Sequence, residues 1–284
     1  MDHGGDRVPN RVVARPPSAR FAALVVLGDF LAPRAETFWL SGLLELLETA
    51  GYPPRTGRTA VQRMAVEGWF TIERRGRRSQ YTLTEFGRRE LARGDFRVFE
   101  SSPPPWDGRW HLVTYSIPDR ARMERDGLRK ALIWLGFGQL NPGMWICSHD
   151  RYDEVTATLH DLEVTAFVTH FTRAQLDGEP SDLVARAWEL TSANASYRGF
   201  LRSWKPVITA WEHTTLGSRD AFIARFRLHH DFLSILRHDP NLPAELLPPG
   251  WHGTEARRLF ASGRKLSADA AGAHVRETWG LHAP

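Results

Sequence analysis

Cysteine is almost absent from this 284-residue chain. Cys147 stands alone, so no internal disulfide can form, and the apolar run Met144-Trp145-Ile146-Cys147 around it predicts a buried strand with a structural thiol. A cytoplasmic setting is the expectation. No stretch approaches the roughly 18 consecutive apolar residues of a membrane-spanning helix. The first nineteen residues, rich in Arg, Pro and Gly, lack the apolar run of a signal peptide and read as a flexible tail. Lysine is also scarce, with Lys130, Lys205 and Lys265 the only three among 37 basic residues. Positive charge therefore rests on arginine, whose planar fork suits phosphate and guanine, although genomic base composition accounts for the choice equally well. Catalytic signatures are missing as well: there is no Gly-x-Ser-x-Gly elbow, no Gly-x-x-x-x-Gly-Lys phosphate loop and no Gly-x-Gly-x-x-Gly fingerprint. The histidines near the carboxyl end, His229, His230, His238 and His252, follow no zinc spacing. No enzymatic activity, metal or cofactor is expected.

What the chain does have is a core-forming share of apolar residues, 42%, and a length that suggests two or three domains. Its charge is local. Between Pro54 and Arg93 ten arginines face four acidic residues, a net +6 within a total of +4. That concentration points to a polyanionic partner such as duplex DNA.

Periodicity explains how the charge is displayed. Phe21, Leu24, Val25, Gly28 and Leu31 recur at helical spacing over 20–31, and Leu40, Leu43, Leu44 and Leu47 do so over 40–50. Gly51-Tyr52-Pro53-Pro54 then forces a turn into a third helix ending near Gly68. On that helix Ala60, Val61, Met64 and Ala65 form the packing side, while Arg55, Arg58, Thr59 and Gln62 lie opposite with Arg63 on the flank. Phe70, Ile72, Tyr81 and Leu83 alternate with polar residues on either side of Arg74-Arg75-Gly76-Arg77-Arg78, a hairpin with a basic tip. Three helices followed by a basic hairpin make a winged helix-turn-helix, with the third helix entering the major groove and the wing reaching the backbone. The candidate DNA-binding residues are thus Arg55, Arg58, Thr59, Gln62, Arg63, Arg74, Arg75, Arg77 and Arg78. Gln62 can pair with adenine, and the arginines can meet guanine edges or phosphates.

Beyond a Ser/Pro linker at 101–105, strands over 110–117, 144–147 and 164–169 and helices over 120–135 and 152–160 fit a β-α-β-β-α-β order and a ferredoxin-like sheet with one of its four strands unassigned. From Ser181 the pattern is helical: one segment ends near Trp204, others cover 207–214 and 220–237, and a last begins at Thr254 after the proline-rich stretch 239–251. The expected architecture is α+β and multidomain: a tail over 1–19, a DNA-binding domain over 20–100, a ferredoxin-like domain over 106–175 and a helical domain over 176–284. Arg198, Arg202 and Lys205 fall on one face of a helix and are candidates for holding an anionic effector, although a solvated face opposite Tyr197, Leu201 and Trp204 is the simpler account of them. The middle sheet, with Trp145 and a free edge, is a candidate platform for a homodimer.

Particular motifs carry a family resemblance. They include Gly28-Asp29-Phe30-Leu31, Trp39-Leu40, Arg58-Thr59, Glu67-Gly68-Trp69 and Gly76-Arg77-Arg78-Ser79; then Trp106-Asp107-Gly108-Arg109-Trp110, Tyr115-Ser116-Ile117-Pro118, Leu135-Gly136-Phe137-Gly138 and Pro142-Gly143-Met144-Trp145-Ile146; and finally Tyr197-Arg198-Gly199-Phe200-Leu201 and the run from Asp239 to Pro248. With these the chain resembles the PaaX-type repressors of phenylacetic-acid degradation operons. The resemblance implies a homodimeric, cytoplasmic transcriptional repressor of a catabolic operon, released from double-stranded operator DNA by an aryl-coenzyme A thioester such as phenylacetyl-CoA. The middle domain also resembles small ferredoxin-like nucleases that place a metal-binding Asp after the tyrosine closing the first strand. Here that position is Ser116, which weakens the alternative of a metal-dependent nucleic-acid-processing enzyme.

Overall fold

The structure, a computed structural model, describes residues 18–31, 37–99, 105–236 and 238–281. Most of the expected tail (1–17) and most of the expected linker (101–104) lie outside the described residues. The fold is mixed, with helices and two antiparallel sheets. It divides into two compact units, Met1–Glu100 with Gly199–Leu233 and Glu255–Pro284, and Ser101–Arg198 with Ser234–Thr254. Much of the stretch assigned from sequence to a separate helical domain therefore packs with the amino-terminal residues.

Helix α1 (Ala19–Val26) starts at Ser18, whose hydroxyl accepts from the Phe21 amide at 3.3 Å. It continues as a π-helical turn over Leu27–Leu31. Burial runs round more than one side: Ala22, Ala23, Val26, Leu27 and Phe30 are buried along with Val25 and Leu31 of the expected apolar face, whereas Phe21, Leu24 and Gly28 of that face are only half-buried. β1 (Thr37–Trp39) was not evident from sequence. α2 (Leu40–Thr49) and α3 (Pro54–Val66) follow, then β2 (Phe70–Arg75) and β3 (Arg78–Leu83), and α4 (Glu85–Phe99), a second unexpected element. β1 and β2 flank β3, both antiparallel to it.

In the other unit β4 (Trp110–Tyr115), α5 (Arg122–Trp134), β5 (Gly138–Asn141), β6 (Met144–Cys147), α6 (Tyr152–Asp161) and β7 (Val168–Ala174) form a sheet in the order β5-β6-β4-β7. β7 begins four residues later than expected, because Thr165–Phe167 closes a 3-10 turn first. Both faces of this sheet are covered. Val113, Trp145 and Cys147 join Leu128, Leu132, Val155 and Leu159 on one side; Trp110 and Ile146 meet Leu183 of α7 (Pro180–Ala187) and Leu242 on the other. Two-sided burial explains why Met-Trp-Ile-Cys does not alternate. Trp145 is 2% exposed, so it serves the core and offers nothing to a dimer partner.

The family motifs of this unit resolve into packing. A Cβ at Gly136 would stand 2.6 Å from the Pro240 carbonyl oxygen, and one at Gly138 would strike Trp188 and Ala187. The 239–243 loop is fixed by Asp239, which accepts from the Asn241 amide at 2.8 Å and from the Tyr197 hydroxyl, and by the His149 ring on the Asn241 carbonyl at 2.6 Å.

The chain ends in α8 (Leu190–Trp211), α9 (Ser218–Leu236) and α10 (Gly253–Leu281). The expected break after Trp204 does not occur: α8 runs through Pro206, whose exposed position lets water satisfy the carbonyl freed by the missing amide. Ala221, Phe222 and Phe226 of α9 and Ala271 and Val275 of α10 belong to the same core as α1, α2 and α3, with Phe30 and Phe222 rings 4.9 Å apart.

Candidate nucleic-acid interface

The approach to α3 is sharp. Gly51 takes φ +97°, the Tyr52 amide donates to the Leu47 carbonyl at 2.9 Å, and Pro54 opens the helix at a position whose amide needs no partner. Gly57 lets α3 lie close on α2, since a Cβ there would be 3.1 Å from Leu44 and 3.2 Å from Leu47. With Val61 and Met64 fully buried behind it, α3 turns Arg55, Arg58, Thr59, Gln62 and Arg63 to solvent. The Thr59 hydroxyl donates to the Arg55 carbonyl at 3.0 Å, leaving lone pairs and a methyl group for a ligand.

The hairpin β2–β3 pairs Phe70 with Leu83 at its base and Arg75 with Arg78 at its end. Gly76, at φ +62°, takes the first central position of the two-residue turn, where a type II′ turn needs glycine. Arg74, Arg75, Arg77 and Arg78 are all exposed. Arg75 reaches Glu73 at 3.1 Å, and the Arg78 guanidinium lies 5.9 Å from the Trp39 ring centroid, so these two are partly tethered. Ile72 departs from the expected alternation and is 51% exposed. Burial pushes the Tyr81 phenol up, opposed by the positive charge of Arg58.

The other sequence candidates are less well assembled. Arg198, Arg202 and Lys205 are exposed along α8; Arg198 belongs to one unit and the other two residues to the other. Lys205 already pairs with Glu255 at 3.3 Å. Ser116 is exposed, and Asp119, three residues further along the chain, accepts from Arg125 at 3.0 Å.

Sequence reasoning missed one cluster. Asp29, on the π turn, is buried and accepts two bonds from Arg225, at 2.6 and 2.7 Å, and one from Arg264 at 3.0 Å, with the His229 ring 3.3 Å away. Burial works to raise the carboxyl's pKa, but the cationic Arg225 and Arg264, joined by His229 only where its ring is protonated, hold it below the ordinary value. Burial pushes His229 down to about 3 against the pull of Asp29, so the imidazole is neutral at pH 7. The available signal was an acid embedded in the apolar run Val25–Leu31, with no hint of its distant partners.

Three family models match successive parts of the chain: a PaaX-like protein over 18–87, the PaaX protein central Cas2-like domain over 103–185 and the PaaX-like protein C-terminal domain over 188–277. The transcriptional repressor PaaX of Escherichia coli (strain K12) is 34% identical over 277 residues, 95% of this chain and 87% of that protein. Among solved structures, an uncharacterized protein from Mycobacterium tuberculosis is similar with a TM-score of 0.55 at 25% identity, covering 90% of this chain and 98% of that one.

Proposed function

The chain belongs to the PaaX family of transcriptional regulators and is not an enzyme, and from that premise we propose that it is a cytoplasmic repressor whose residues 20–100 act as a winged helix-turn-helix on duplex DNA. The observation that carries this reading is the exposed face Arg55, Arg58, Gln62 and Arg63, backed by a buried face on the same helix and followed by a hairpin with four exposed arginines at its tip. α3 enters the major groove, where Gln62 and the arginines read base edges; the hairpin tip neutralises phosphates. A two-fold operator calls for a homodimer, because one such module buries little surface. With Trp145 in the core, the sheet edges β5 and β7 remain the platform to test by sedimentation.

The middle unit is assigned to the ferredoxin-like class on its β-α-β-β-α-β chain order, supported by the match to a Cas2-like domain. The regulated genes are those of an aromatic-acid catabolic operon, and an aryl-CoA thioester such as phenylacetyl-CoA is the inducer. Whatever binds the DNA-free form more tightly must weaken DNA binding by the same factor. Fluorescence anisotropy with the gene's own upstream DNA, at two salt concentrations with and without phenylacetyl-CoA, tests the whole reading. Nanomolar, salt-steep binding reversed by the thioester is expected; no DNA binding at all defeats it.

A further inference from the structure

Within the second compact unit, the end of β4, the α5 helix and the β5–β6 turn line an open cleft of about 620 Å³. We propose that this cleft is the phosphate subsite for the effector, accepting the phosphoryl groups of a small nucleotide-like anion. Its charge is the first reason. Arg122, Arg125 and Arg129 all line it from α5, spaced by three and four residues so that they share a face, and Asp126 is the acid among the lining residues. Arg125 is held by Asp119 at 3.0 Å, whereas Arg122 and Arg129 make no ion pair among the described residues. Guanidiniums converging without enough carboxylates to neutralise them fit an anion, and phosphate oxygens match their forked donors.

Construction is the second reason. The Tyr115 amide donates to the Gly143 carbonyl at 2.8 Å, and the Ser116 amide to the Phe167 carbonyl at 3.0 Å. Gly143 sits at φ +85°, and a Cβ there would come within 2.7 Å of the Tyr115 carbonyl oxygen. The part of the cleft formed by Tyr115, Ser116 and Gly143 is therefore backbone held to backbone. Its volume lies in the range of small-molecule pockets, and Tyr115, Ile117 and Pro142 supply apolar lining beside the charges. A concave space of this size takes a small molecule; a duplex would meet arginines on a convex ridge.

This assignment rests on the thioester reading above for the identity of the phosphate carrier, coenzyme A. The test is calorimetric titration of the full chain with phenylacetyl-CoA and, separately, with ADP, using wild type, Arg122→Gln/Arg129→Gln and Ser116→Trp. Both double-variant positions and Ser116 are exposed, and circular dichroism checks that each variant folds; should the double variant fail, Arg129→Gln alone carries the comparison. Both probes are expected to bind wild type, to weaken at least about tenfold in the arginine variant, and to be blocked by the tryptophan, which fills the space while keeping every charge. Operator affinity and its salt dependence are expected to stay unchanged. If wild type and variants bind phenylacetyl-CoA equally, the pocket is wrong and the effector reading stands. If ADP binds through the arginines while phenylacetyl-CoA does not bind, the pocket stands and the effector reading fails. Absence of binding by both probes overturns both. Loss of operator affinity in the arginine variant, with the salt slope lowered by about two, would assign these arginines to DNA and end the proposal.

Discussion

At Asp29 one carboxylate balances two arginines drawn from helices almost 200 and more than 230 residues away in sequence. Removing it strands those guanidiniums in a low-dielectric core, and losing one partner of a buried pair costs about 3–5 kcal/mol. Asp29→Ala should therefore lower the urea-unfolding free energy by that much, with the slope against urea unchanged; a loss under about 1 kcal/mol would mean the cluster is solvated in solution. The neighbouring His229 supplies a pH dependence. Its folded pKa of about 3 lies below the usual 6.5, so between these values the unfolded chain binds the extra proton and stability falls as pH falls. From pH 7 to pH 5 that one residue withdraws about 2 kcal/mol, and His229→Gln should flatten the acid loss by that amount. Other buried histidines, His111 and His149 among them, have pKa values lowered mainly by burial and add to the wild-type slope, so the difference between the two proteins is the quantity to measure. Little of this was legible beforehand. Sequence shows an acid among apolar residues, but the partners of a buried charge are set by tertiary packing, which no local period records.

Elements were legible in proportion to how one-sided their burial is. α3 was read with its faces correctly divided because Val61 and Met64 point to a single core and the arginines to solvent. α1 was read as burying one face, of which Val25 and Leu31 are buried and Phe21, Leu24 and Gly28 only half-buried, because the helix packs on several sides and its last turn widens into a π-helix, which breaks the 3.6-residue period on which the reading relied. β1 is three residues long, too short for alternation to register, and exists because Thr37, Phe38 and Trp39 pair with β3. The division of labour between α3 and the hairpin is testable at this scale. Replacing Arg58 or Gln62 by Ala should cost about 1–3 kcal/mol for the operator and narrow the gap to mutated operators, as loss of a base contact does. Changing Arg74 and Arg77 to Gln should instead weaken all sequences alike and lower the log-log salt slope by about 0.9 for each phosphate contact removed. If the hairpin variants change sequence preference while α3 variants change only the salt slope, the roles are reversed.

The molecule as a whole does not keep the helices proposed to contact DNA in a free-standing module. Phe222, Phe226, Ala271 and Val275 are buried in the same core as Val26, Phe30, Leu43 and Leu47, and the Asp29 cluster ties that core together through charge. A fragment spanning 18–100 would expose the apolar surface these carboxyl-terminal residues cover and leave Asp29 without its cations. Burial of a large apolar side chain is worth about 1.5–3 kcal/mol, so loss of the two phenylalanines and the smaller contacts removes much of the stability of a domain that size. The fragment is expected to bind a hydrophobic dye, to melt without a sharp transition and to bind operator at least tenfold more weakly than the full chain. The full chain should also lose the environments of Trp69 and Trp204 in one transition, since both lie in the same compact unit. A fragment that melts sharply and holds the operator as tightly as the intact protein would show that the carboxyl-terminal helices only lean on the DNA-binding residues. Cooperative loss would give an effector a mechanical route to them: any ligand that disturbs 199–233 or 255–284 acts on the very core that positions α3.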